Sequence, residues 1–100
     1  MNNETKLMSV RDAIIMAMSE EMRSDENVFL MGEDVGIFGG DFGTSVGMLE
    51  EFGAERIRDT PISENAISGC AIGAAMTGMR PIVDVTFMDF VVYMMDNIVN

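Results

Sequence analysis

Arg58-Asp59-Thr60-Pro61-Ile62-Ser63-Glu64-Asn65 leads into a small-residue run from Ala66 to Met79. Pro61 fixes its own φ and pushes Thr60 toward an extended conformation, so the chain turns here. Ser63 suits the N-cap position, which puts Glu64 in the first turn of the following helix. That helix is predicted over 63–79, with no charge after Glu64, and reads as a buried element stopped by Arg80-Pro81. Gly69 and Gly73 within it point to a close backbone approach to another element. A strand is expected just before the turn, over 55–58. Glu64 then has two readings. A carboxylate in a first helical turn complements the macrodipole, and one held at the mouth of an apolar element can also do chemistry.

Working outward toward the N-terminus, Ser9 followed by Asp12 is a loose capping box. Val10, Ala13, Ile14, Ala17 and Met18 recur at helical spacing through about Arg23. After a polar break, Val28-Phe29-Leu30-Met31 is a continuous apolar run, as expected of a strand covered on both faces. Glu33 to Gly43 holds four glycines after Gly32, with aromatics between them. A phosphate cradle is rejected there, because no Lys-Ser/Thr pair follows and Glu33, Asp34 and Asp41 would repel a phosphate. A mobile surface loop and a loop at a site or interface both remain open. Acids directly after a buried strand lie at its C-terminal edge, where open α/β sheets place ligands. A short helix is expected from Thr44 or Ser45 to Phe52, ended by Gly53. Toward the C-terminus, 81–87 reads as a strand and 90–100 as a helix with Val91, Met94, Met95 and Ile98 as its stripe. That pattern is still running at Asn100, so the chain is expected to be the truncated N-terminal part of a larger domain.

The 100 residues include 48% hydrophobic side chains, ample for a core, and carry a net charge of −11. That balance argues against nucleic acid and against an anionic membrane surface. With one cysteine, Cys70, no intrachain disulfide forms; the thiol lies in an apolar run and reads as buried and inert. Histidine is absent, which removes Ser-His and Cys-His nucleophilic pairs and histidine metal ligation from this chain. Chemistry here would lean on carboxylates and a cofactor. The N-terminus lacks a secretory signal pattern, and a cytoplasmic protein is expected.

Gly32-Glu33-Asp34-Val35, Arg58 to Glu64, Gly73 to Ile82 and Phe87-Met88-Asp89-Phe90 occur in an order and spacing that resembles the β subunits of thiamine-diphosphate-dependent 2-oxo acid dehydrogenase E1 components. The resemblance runs from about Met8 onward. Residues 34–44 and 86–90 look most like the acetoin dehydrogenase branch of that family. It implies an α/β fold with a largely parallel sheet flanked by helices, the N-terminal part of a transketolase-like pyrimidine-binding domain. By resemblance, Glu64 matches the glutamate that hydrogen-bonds N1′ of the aminopyrimidine, where a partly buried carboxyl can share a proton near neutrality. Phe90 matches the aromatic that packs on that ring, although an aromatic at such a position is by itself more often core. Ile62 is expected against the cofactor, and Glu33 matches an acid placed to relay protons or support Glu64. The family implies thiamine diphosphate shared with an α subunit that holds Mg²⁺, in an α2β2 assembly with a lipoyl-bearing E2 partner. The implied reaction is acetoin cleavage to acetaldehyde, with a two-carbon unit passed to lipoyl-E2 or a dye. Pyruvate or a branched-chain 2-oxo acid is the alternative substrate. A different class of reading is a non-catalytic acidic interaction fragment in which Glu64 only caps a helix.

Overall fold

The computed structural model describes residues 7–36, 38–40, 43–85 and 88–99, the side chains of 88–90 excepted. Val28–Gly32 forms β1, the centre of a three-stranded parallel sheet. Ile57–Asp59 (β2) pairs with it on one side, Leu30 opposite Ile57. Arg80–Asp84 (β3) pairs on the other, Val28 opposite Arg80 and Gly32 opposite Asp84. Every residue of β1 is buried. Val28 and Leu30 join Met22, Val35, Met48 and Ile57 in one cluster, while Phe29 and Met31 join Ile67, Ala71 and Met94 in another. This alternation is why the strand reads as an unbroken apolar run.

The first cluster is closed by α1 (Val10–Ser24) and α2 (Met48–Phe52). The expected cap of α1 is present, with the Ser9 hydroxyl accepting from the Asp12 amide at 3.1 Å. Its buried side overlaps the expected stripe only in part, at Met18. Ser19 and Met22 are buried and Ile15 and Met18 pack beside them, whereas Val10 and Ile14 are exposed. The helix carries apolar residues on more than one side, so periodicity did not choose between them. The end of α1 is tied to β2 by Arg56, whose Nη2 donates to the carbonyls of Met22 (2.6 Å), Asp25 (2.9 Å) and Val28 (2.9 Å).

The short helix α2 starts later than expected because Gly47, at φ +83°, breaks the helical path immediately before it. β2 begins at Ile57 rather than Glu55, since the Arg56 and Ile57 amides both turn back to the Gly53 carbonyl. The second cluster is closed by α3 (Glu64–Met76) and a 3-10 helix at Met88–Met94, and α4 (Met95–Val99) follows. α3 ends at Met76 instead of Met79. Gly78 is left-handed at φ +103° and the Met79 amide donates to the Ala74 carbonyl, a glycine-dependent stop. Only Ile67, Ser68 and Ala71 of α3 are buried, so it is a half-covered helix rather than a buried one. The last expected helix begins as 3-10, and the expected end of β3 at 86–87 lies outside the described residues. Among the described residues no helix is long and apolar enough to cross a membrane.

Candidate functional site

All three strands run the same way, so their C-terminal ends share one edge. Gly32, Asp59 and Asp84 stand there in register. Glu33 follows β1 directly and is half-buried; Asp34 is exposed, at φ +56°. The turn of the decisive stretch starts at the same edge, because the Thr60 amide donates to the Gly32 carbonyl at 2.9 Å. The residue before Glu33 is therefore hydrogen-bonded to the segment that leads into Glu64.

Glu64 is the first residue of α3 and half-buried, with Ser63 at the N-cap as the sequence implies. The Ser63 hydroxyl makes no capping bond; its carbonyl takes the Ile67 amide at 2.9 Å. Among the described residues no hydrogen bond or ion pair engages the Glu64 carboxyl. The turn of helix that carries it is fixed from outside instead. Asn97 Nδ2, on α4, donates to the Asn65 carbonyl (2.8 Å), the Asn65 Oδ1 (2.6 Å) and the Ser68 hydroxyl (3.1 Å). Gly69 is not required for that approach, since a Cβ there would stand 3.6 Å from Asn97 Nδ2, an ordinary van der Waals contact. Gly73 meets nothing within 4 Å, so the close backbone approach expected at the two helix glycines is not found at either.

Ile62 is 81% exposed, a large apolar side chain two residues before Glu64. Thr60 Oγ1 is buried without a hydrogen-bond partner. Phe90 falls in the first turn of the 3-10 helix, and its side chain lies outside the described residues. The structure thus brings Glu33 and the Thr60–Glu64 turn to one edge.

The glycine-rich segment is not a free loop in its described part. Val35 is fully buried in the first core cluster. The Ser45 hydroxyl donates to the Val35 carbonyl at 2.8 Å, and the Gly40 amide to the Asp34 carbonyl at 2.7 Å. Asp59 accepts the Gly36 amide at 2.7 Å, and Thr44 Oγ1 donates to Asp84 Oδ2 at 3.2 Å. Sequence reasoning missed Asp59, Ser45 and Asn97. Asp59 had a signal, being an acid at a strand end facing a glycine-rich segment; Asn97 had none.

Cys70 is exposed, against expectation. Ile67, Ala71 and Ala74 face the sheet at helical spacing, and Cys70 is turned aside into an open groove of about 810 Å³. That groove follows β2 and is lined also by Phe29, Met31, Arg58 and Met79. Among the described residues no group of three His, Cys, Asp or Glu could hold a metal ion.

The transketolase pyrimidine-binding domain family matches residues 6–100. The chain is 51% identical over 94 residues to 2-oxoisovalerate dehydrogenase subunit beta of Bacillus subtilis (strain 168), covering 94% of this chain and 29% of that protein. It is 47% identical over 97 residues to pyruvate dehydrogenase E1 component subunit beta of Rhizobium meliloti (strain 1021), covering 97% of this chain and 21% of that protein. It is 43% identical over 98 residues to the mitochondrial pyruvate dehydrogenase E1 component subunit beta of Saccharomyces cerevisiae (strain ATCC 204508 / S288c), covering 98% and 27%. The chain therefore spans between 21% and 29% of the length of these curated relatives.

Proposed function

We propose a function from one premise: this chain belongs to the transketolase pyrimidine-binding domain family. It is part of the β subunit of a thiamine-diphosphate-dependent dehydrogenase E1 component, working with an α subunit in an α2β2 assembly and delivering to a lipoyl-bearing E2 partner. The observation that carries the reading is the Glu64 carboxyl. It is half-buried in the first turn of α3, at the C-terminal edge of a parallel sheet, and no described hydrogen bond or ion pair engages it.

The residues present fit an aminopyrimidine. Glu64 offers a carboxyl that can share a proton with a ring nitrogen, Ile62 leaves an apolar surface two residues away, and Thr60 Oγ1 is a buried polar atom without a partner. They do not fit a diphosphate, because the edge carries Glu33, Asp34, Asp59 and Asp84. The diphosphate and Mg²⁺ are accordingly assigned to the α subunit. When bound, thiamine diphosphate supplies a stabilised carbanion for cleaving the bond next to a carbonyl. The chain's own residues do the rest. Glu64 would hydrogen-bond the ring nitrogen through its carboxyl, Ile62 would keep water from the ring, a role that the family resemblance also gives to Phe90, and Glu33 would support Glu64 or pass protons at the inner end.

Acetoin is the proposed substrate, on the likeness of residues 34–44 and 86–90 to the acetoin branch, with acetaldehyde released and a two-carbon unit passed on. The relatives' names favour a second reading, a 2-oxo acid such as pyruvate or 2-oxoisovalerate. A cytoplasmic location is proposed with either. The test uses full-length β subunit co-purified with its α subunit, with acetoin, pyruvate and 2-oxoisovalerate compared in a dye-reduction assay. Glu64→Gln keeps the shape but cannot share the proton, and kcat is expected to fall by about 10²- to 10⁴-fold in an intact assembly. Turnover of 2-oxo acids without acetoin would replace the substrate and keep the family. A Glu64→Gln protein with wild-type kcat would reduce Glu64 to a helix cap.

A further inference from the structure

Glu33 and Glu64 belong to different turns, one directly after β1 and one at the start of α3, and a proton can pass between groups at one site only if those turns keep a fixed distance. The described bonds that join the turns run through two adjacent residues. The Thr60 amide donates to the Gly32 carbonyl at 2.9 Å, on the near side of Glu33. On the far side, Asp59 Oδ1 accepts the Gly36 amide at 2.7 Å. Glu33 is thus bracketed by Asp59 and Thr60, and those residues continue through Pro61 directly into Glu64. The bracket is sterically specific. A Cβ at residue 36 would stand 2.5 Å from Asp59 Oδ2 and 3.1 Å from Oδ1, so only glycine lets the carboxylate reach this amide. Val35, between Glu33 and Gly36, is fully buried and its carbonyl is held by Ser45 at 2.8 Å. The bracket therefore closes on a segment already anchored in the core.

We propose that Asp59 is a positioning residue: by holding the Gly36 amide it fixes the Glu33 turn against the Glu64 turn. The inference rests on the reading of Glu64 as the carboxyl that faces the cofactor. Asp59 acts here as a hydrogen-bond acceptor, a role its amide isostere can keep through the remaining carbonyl oxygen. Asp59→Asn should therefore preserve the bracket, Asp59→Ala should open it, and Gly36→Ala should push the carboxylate off the amide while leaving Asp59 in place.

The experiment compares these three variants and Glu64→Gln in full-length β subunit assembled with its α subunit. It reads kcat and KM separately, assembly by size-exclusion chromatography, and hydrogen exchange of the segment containing Gly36. Misplacing a reacting group by about 1 Å costs up to about 100-fold in rate. Asp59→Ala and Gly36→Ala are therefore expected to lower kcat by about 10- to 100-fold, with KM and assembly unchanged and exchange at Gly36 raised. Asp59→Asn is expected to restore both kcat and protection. Asp59→Ala with wild-type kcat would overturn the inference, as would an Asp59→Asn as impaired as Asp59→Ala. If Asp59→Ala fails to assemble, Gly36→Ala decides alone, and a Gly36→Ala assembly with wild-type kcat sinks the proposal. Glu64→Gln separates the two claims. Its loss of kcat beside an unaffected Asp59→Ala removes only the positioning role, whereas wild-type kcat in Glu64→Gln removes the reading beneath it.

Discussion

Replacing Arg56 should loosen the end of α1 far more than an ordinary surface substitution would. Its guanidinium donates to the Met22, Asp25 and Val28 carbonyls, with Nε on Val28 as well at 3.2 Å, and stands 5.2 Å from the Phe52 ring centroid. A hydrogen bond from a charged donor contributes about 1.5–3 kcal/mol, and a stacked cation about 0.5–1. The bonds share donors and cannot be summed, so Arg56→Met should cost about 3 kcal/mol of local stability. Arg56→Lys keeps the charge, but a single ammonium cannot span three carbonyls on two elements, and about 2 kcal/mol should still be lost. The sensitive assay is amide exchange at Asp25 and Val28, whose amides close the last turns at 3.0 and 3.2 Å. At 1.4 kcal/mol per factor of ten, Arg56→Met should speed that exchange by about 100-fold. Wild-type exchange in Arg56→Lys would refute the fork and leave only a charge effect.

Two further tests concern the core and the surface. Leu30→Ala removes a side chain that is 1% exposed at the centre of the sheet, and should cost about 3 kcal/mol in urea unfolding. Arg23 and Glu51 link α1 to α2 through two charge-assisted bonds, which hold the Glu51 carboxyl below its ordinary value of 4.5 and push the Arg23 guanidinium above its ordinary range. Glu51 contributes its stability above 4.5 and loses it as pH falls through the lowered value. Arg23 contributes its share below its ordinary pKa and loses it only as pH rises through the raised value, far above neutrality. The coupling in a Arg23→Ala/Glu51→Ala cycle should therefore be flat near neutrality, vanish in acid, and shrink with added salt, because both groups are exposed.

The sheet was legible because its central strand is apolar at every position, and a strand between two helical layers needs that. The helices were legible in existence, less so in their faces and ends. Ile14 and Ile15 are adjacent and equally apolar, yet Ile15 packs on the core and Ile14 does not. Nothing local separates them; the choice is made by how α1 lies across β1. The ends of α2 and α3 depended on left-handed glycines at 47 and 78, and composition does not say which glycine takes that conformation. Glu64 was legible through Pro61 and Ser63, which set the helix start, although the serine acts by position rather than by its hydroxyl. Asp59, Ser45 and Asn97 were not, because each acts across 10 to 32 residues of sequence through one hydrogen bond or a small fork of them.

The distribution of charge supports the proposal that another subunit completes the site. The carboxylates Glu33, Asp34, Asp59, Glu64 and Asp84 all gather where the parallel strands end. Most described cations are committed elsewhere. Arg56 is spent on the carbonyls at the opposite edge, and Arg80 begins β3 beside Asp25, 3.4 Å away. Arg58, on β2, is turned back to the Glu55 carbonyl at 2.8 Å. Arg11 is the exception among the described residues, since it lies against the loop at Gly43 with only a long contact to Asp12, at 3.8 Å. One exposed guanidinium cannot balance a diphosphate against five acids over a Debye length of about 8 Å. A ligand with an anionic tail and a neutral, hydrogen-bonding ring would meet this edge ring-first, with its tail directed away from these acids. That polarity suits the aminopyrimidine end of thiamine diphosphate, and it would be reversed in a site built to hold the phosphates themselves.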